Sequence, residues 1–65
     1  MRYLVLEENR SKIVDAKKLR AWIDHTDGGI RIFRLCGNND PVELFFRWFG
    51  NGYLLTDRFG NNEGV

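Results

Sequence analysis

Sixty-five residues with a formal net charge of +1, one cysteine (Cys36) and one histidine (His25) make a single small domain. A core of this size supplies only about 3–5 kcal/mol unaided, and the lone Cys36 and His25 exclude an internal disulfide and leave a Cys/His zinc site short of ligands. The near-neutral charge argues against bulk attraction to nucleic acid or an anionic membrane, and no apolar run approaches the roughly 18–20 residues that span a bilayer.

The chain opens with "RYLVLE", whose Tyr, Val and Leu predict a short strand ended by "EENRSK". Its apolar residues fall at both parities, so the strand is expected inside a sheet rather than at its edge. "VDAKKLRAWIDHTDGG" carries the clearest helix pattern. Asp15 is placed to cap the first turn. Val14 and Leu19 flank that cap as a hydrophobic staple. Ala16, Leu19, Trp22 and Ile23 form one apolar stripe, and Gly28 with Gly29 stops the helix. Lys12, Lys17, Lys18 and Arg20 make this region the basic patch of the chain. Residues 1–22 hold six basic against three acidic side chains, whereas residues 23–65 hold four against six.

"IRIFRLC" predicts a second strand and "GNNDP" a turn. The next block, "DPVELFFRWFGNG", admits two structures. As a helix it has Asp40 at the N-cap, Pro41 in the first position and Glu43 completing a capping pattern. As a strand it points Leu44, Phe46 and Trp48 one way and Glu43, Phe45, Arg47 and Phe49 the other, with Asn51-Gly52 as the hairpin turn into "YLLTDRF". The strand is preferred, because four aromatic residues in five positions suit a sheet better than a helix. The expected fold is therefore α+β: a four-stranded, mostly antiparallel sheet in the order β-α-β-β-β, with one helix on one face. Residues 1–60 form the domain and residues 61–65 a flexible tail.

One helix covers one face of such a sheet. Leu4, Leu6, Ile30, Ile32, Leu44, Phe46 and Trp48 suffice to fill that side against Leu19, Trp22 and Ile23. The opposite pleat would still carry Tyr3, Val5, Phe33, Leu35, Phe45 and Phe49, interleaved with Arg31, Glu43 and Arg47. Register is not readable from sequence, but large apolar groups occupy both parities of two strands whatever the register. A contiguous apolar patch marks a contact surface, and arginine beside aromatic residues is the composition interfaces favour. The partner-binding candidates are Arg31, Phe33, Phe45, Arg47 and Phe49.

Residues 40–60, with "DPVELFF", the turn "GNG" and "YLLTDRFG", resemble a hairpin of small phage- and plasmid-associated domains of unknown function. This chain's "LTDRFG" is one residue longer than that pattern's Leu-Ser/Thr-Asp-x-Gly. The resemblance implies a mobile-element setting, in which small proteins bind and block a host protein. It carries over no catalytic residue.

Catalytic chemistry finds little footing. A Cys36–His25 thiolate pair is conceivable, but nothing in the spacing joins the two. The acids beside Gly, Pro or Asn suit turns and caps. There is no Walker lysine and no G-x-G-x-x-G, so no catalytic residue, cofactor or metal is assigned. The expected function is non-enzymatic protein binding, by a small inhibitor or adaptor of a phage-host or defence complex or by a homodimer. The alternative is a single-stranded nucleic-acid binder using Phe33, Phe45 and Phe49 with Arg31, Arg47 and the lysines near residue 17. A free thiol and an N-terminus without a signal-peptide pattern predict a cytoplasmic location and no membrane partner.

Overall fold

The computed structural model describes residues 1–25, 29–50 and 52–64, with the side chain of Phe49 excepted. It shows an α+β chain with one helix and a six-stranded antiparallel sheet. The strands are β1 (Arg2–Leu6), β2 (Ser11–Asp15), β3 (Arg31–Leu35), β4 (Val42–Phe49), β5 (Gly52–Thr56) and β6 (Asn62–Glu63), and the helix is α1 (Ala16–Asp24). Their order across the sheet is β2-β1-β3-β4-β5-β6.

Two strands exceed the expected four. The segment "SKIVD" forms β2 along the edge of β1 and buries only Val14. Its polar ends hide it from a pattern search. The connection is a tight turn in which the Glu7 N–H donates to the Arg10 carbonyl at 2.8 Å and the Arg10 guanidinium pairs with the Glu7 carboxylate at 2.7 Å. The second addition is β6. The unanchored tail expected from residue 61 does not describe Asn62 and Glu63, which pair with Thr56 and Leu55.

Residues 42–49 adopt the strand, not the helix. Residues 42–44 pair with β3 and residues 45–49 with β5, so β4 passes from one neighbour to the next along its length. The turn falls one residue earlier than the sequence suggested. Gly50 takes a left-handed φ of 52°, which suits a residue without Cβ, and Gly52 already pairs with Phe49. Asn51 lies outside the described residues.

The helix starts as its sequence dictates. Asp15 is the N-cap, and its carboxylate accepts the Lys18 N–H at 2.8 Å. Val14 and Leu19, on either side of the cap, are both buried. The helix ends at Asp24, where the His25 N–H bonds back to the Trp22 carbonyl at 3.1 Å. Gly28, the expected stop, lies outside the described residues.

Adjacent strands sit about 4.7–4.9 Å apart, so four steps would put β1 and β6 roughly 19 Å apart in a flat sheet. Yet the Tyr3 hydroxyl donates to the Glu63 carboxylate at 2.7 Å, which also pairs with Arg34 on β3 at 2.5 Å. Two side chains do not bridge four strands. The sheet must therefore coil, with a concave inner face and a convex outer one. The core lies inside the curve: Tyr3, Val5, Val14, Leu19, Ile23, Ile32, Leu44 and Leu55. This reverses the expected parity of β1. Tyr3 and Val5 face the helix, and Leu4 and Leu6 face outward.

Candidate contact face

The outer face can be read row by row from the register. Leu4 pairs with Ile13 on one side and Phe33 on the other, and Phe33 pairs with Glu43. Phe45 pairs with Thr56, and Arg47 with Leu54. Strands alternate their side chains, so Arg31, Phe33, Phe45 and Arg47 share this face; the side chain of Phe49, the fifth candidate, lies outside what the structure describes. Apolar side chains meet solvent on this face beside the exposed Arg31 and Arg47: Ile13 is 54% exposed, Phe45 45% and Leu54 41%. Leu4, Leu6, Phe33 and Leu35 are half-buried beside them. Ile13 and Leu54 were missed from sequence because assigning them needed β2 and the β4–β5 register.

The charged groups on this face are held in place. Arg31 makes two parallel hydrogen bonds to Glu43, Nε to Oε2 and Nη2 to Oε1, each 2.9 Å, while its guanidinium lies 5.1 Å from the centre of the Phe33 ring. The Arg31 hydrogen bonds hold the Glu43 carboxyl below its ordinary range and keep the guanidinium charged. Arg47 Nε donates to Thr56 Oγ1 at 3.3 Å. Both arginines reach the surface with their geometry already set, which lowers the ordering cost of a contact.

One corner of the face is shaped by a loop the sequence hid. The Asp57 carboxylate is buried and accepts the Phe59 N–H at 2.8 Å, the Asn61 N–H at 3.0 Å and the Asn61 amide at 3.3 Å. The Asn61 backbone N–H leads in holding this carboxyl below its ordinary value of 3.8. The Asp57 N–H bonds to the Asn61 carbonyl and the Gly60 N–H to the Asp57 carbonyl, each at 3.0 Å. The loop so closed presents Arg58 and Phe59 outward. Phe59 is 73% exposed, with the Arg58 guanidinium 4.8 Å from its ring centre. Beside it is a depression of about 450 Å³ lined by Phe33, Pro41, Val42, Phe45 and Phe59 together with the charged Asp40, Glu43 and Arg58.

The basic patch lies elsewhere. Lys17, Lys18 and Arg20 are exposed on α1, and Lys12 is exposed on the edge strand β2 at inner-face parity, opposite Val5. The helix packs on the inner side of β1 and β2. The helix cations and the outer-face rings are therefore on opposite sides of the sheet. The inner side also holds a ring cluster at the β4–β5 hairpin. Phe46 and Trp48 stack at 5.6 Å with planes 11° apart, and Tyr53 meets both edge-on at 5.8 and 5.6 Å. Trp48, expected in the core under the helix, is 58% exposed, because the helix packs over β1 and β2 and not over the hairpin.

The two candidate nucleophile-pair residues are separated. His25 is exposed at the helix end, beside a depression of about 360 Å³ lined by Glu7, Ala21, Trp22 and Ile30. Cys36 is half-buried just past the far end of β3, its Sγ 3.8 Å from the Arg34 carbonyl oxygen. A strand rise of about 3.3 Å per residue places Cys36 roughly 16 Å beyond Arg31. No cluster of three or more His, Cys, Asp or Glu with metal-binding geometry occurs among the described residues, and none of their helices is long and apolar enough to cross a membrane. Neither a protein-family model, nor a curated protein, nor a solved structure matches the chain.

Proposed function

We propose that this chain is a non-enzymatic protein-binding module of the cytoplasm, acting as a small inhibitor or adaptor through its outer sheet face. The observation that carries the reading is the contiguous row Ile13–Leu4–Phe33, continued by Phe45 and Leu54. The opposite face is covered by α1 over β1 and β2. Full burial of one such side chain is worth about 1.5–3 kcal/mol; these are about half-exposed, so each adds about half of that, and several together favour association. Arg31 and Arg47 supply orientation, being tied to Glu43 and Thr56 before any partner arrives. The hairpin resemblance at residues 40–60 favours a phage-host or defence complex as the setting.

The nucleic-acid alternative loses its proposed composite surface, since its rings and its lysines face opposite ways. The stacked Phe46–Trp48 pair is the observation that keeps it in view, because exposed rings stack with bases. Both readings meet one experiment. Ile13→Ser with Phe45→Ser is expected to leave the far-ultraviolet circular dichroism unchanged and to abolish the chain's association with protein. Unimpaired protein association in that variant defeats the reading. Binding of a single-stranded oligonucleotide that weakens steeply with salt would put the alternative in its place.

A further inference from the structure

We infer that the outer face is an isologous dimer interface, in which Phe59 of one chain enters the depression that Phe33, Pro41, Val42, Phe45 and Phe59 line in a second copy, while Arg58 meets Asp40 across the two-fold axis. The inference rests on the protein-contact reading of this face and names its occupant.

Surface area points to a second copy. A compact monomer of 7.6 kDa should expose about 4,300 Å². This chain exposes 4956 Å². The surplus of roughly 650 Å² approaches the ~800 Å² that each partner contributes to a standard interface. Dimerisation through one face would bring the chain to the area its mass predicts.

Shape points to a two-fold arrangement. The exposed Phe59 and the depression of about 450 Å³ adjoin one another on the same face. That volume lies within the about 300–1,000 Å³ of sites that hold a small molecule, so it admits a phenyl ring with room for its neighbours. Because the projecting Phe59 is also a wall of the recess, a two-fold axis beside it fills both recesses at once and the assembly closes. The loop carrying Phe59 is set by the three hydrogen bonds to the buried Asp57 carboxylate, so little order has to be acquired on docking.

Charge points the same way. A surface of one sign repels its own copy. Here Arg58 and Arg31 share the patch with Asp40 and Glu43, and rotation about the axis brings unlike charges together.

The test is the solution mass of the full chain by light scattering and sedimentation, from micromolar to millimolar concentration, with circular dichroism as the folding control. The wild-type chain should reach twice its monomer mass. Phe59→Ala, at an exposed position, should weaken the dimer about tenfold or more. Asp40→Arg and Arg58→Asp should each dissociate it, because each places like charges on both sides of the axis. Mixing these two single variants should restore a dimer, since the heterodimer regains both unlike pairs. A contact within one chain would not respond to mixing. A wild-type chain that stays monomeric at millimolar concentration overturns the inference and assigns the face to a different protein. A dimer indifferent to Phe59→Ala and both reversals but dissociated by Phe45→Ser also overturns it, while leaving the contact face standing. A dimer indifferent to Phe45→Ser as well overturns both.

Discussion

The two faces of the coiled sheet are made from the same residue types and end in opposite states. Inside, Val5, Ile32, Leu19 and Leu55 are fully buried. Outside, Ile13, Phe45 and Leu54 remain open to solvent in equally regular strand positions. Composition does not separate them; cover does. The only helix among the described residues lends Leu19 and Ile23 to the concave side and has nothing left for the convex one. Curvature adds to the contrast, since coiling draws the inner side chains of β1, β3 and β5 together and spreads the outer ones apart. A small sheet with one helix thus acquires an inner face covered over β1 and β2, open at Trp48 on the hairpin, and an outer face with no helix on it.

The largest expected effect sets one face directly against the other. Leu19→Ala removes a fully buried side chain and should cost about 2–5 kcal/mol. That is comparable with the whole ~3–5 kcal/mol expected of so small a core, so the variant should be largely unfolded in chemical denaturation. Phe45→Ser on the outer face should change stability by only about 0.5 kcal/mol, as for ordinary surface positions. Equal losses for the two variants would mean that Phe45 belongs to the core, and the distinction between the faces would collapse.

The polar groups sharpen the comparison next. On the inner face Tyr3, Glu63 and Arg34 form a connected group. Burial, then the hydrogen bond to Glu63, pushes the Tyr3 hydroxyl from its ordinary 10.0 up to about 12. The folded chain therefore keeps this proton at pH values where the unfolded chain has released it. The stabilisation is complete below pH 10 and is lost as pH rises through about 12. Tyr3→Phe should cost about 1.5–3 kcal/mol at neutral pH, as for a hydrogen bond to a charged group. In urea titrations between pH 10 and 12 the wild type should lose stability more steeply than Tyr3→Phe. Parallel curves would place the hydroxyl in water and break the closure of the sheet that brings β6 back toward β1. The Arg31–Glu43 pair outside offers the contrast: its half-buried carboxyl is held below its ordinary range, so it is silent in that alkaline window.

Where local chemistry decides structure, the sequence was readable. The Asp15 cap, the Leu19–Ile23 stripe and the β4 strand all follow from residues close in the chain. The parity of Phe33, Phe45 and Arg47 was readable too, because strand alternation is local. Long-range facts were not. The β1 strand is apolar at both parities, and what favours Tyr3 inward is distant in the chain: the helix-side core it joins and Glu63, sixty residues away, which accepts its hydroxyl hydrogen. The β2 strand shows just Ile13 and Val14 between polar ends, and β6 has two residues with no apolar side chain. Phe59 closed the expected strand "YLLTDRF", but β5 ends at Thr56 and the prominence of Phe59 depends on the folded-back Asp57 carboxylate.

The smallest effect concerns the junction at which the chain leaves the outer edge of the sheet and begins to cover the inner face. Asp15 closes β2 opposite Arg2 and caps α1 by accepting the Lys18 N–H at 2.8 Å. Asp15→Ala should cost about 1 kcal/mol, and Asp15→Asn should recover most of it, because an amide oxygen also accepts that bond. The loss should be local. Amide hydrogen exchange should quicken over the first turn of α1, at Lys17, Lys18 and Leu19, and stay unchanged in the β4–β5 hairpin, which the helix does not cover. Faster exchange across the hairpin as well would show that the helix supports the whole sheet and that the two faces share one cooperative unit. Exchange confined to the first turn would show that the cover loosens at its hinge while the outer surface keeps its shape.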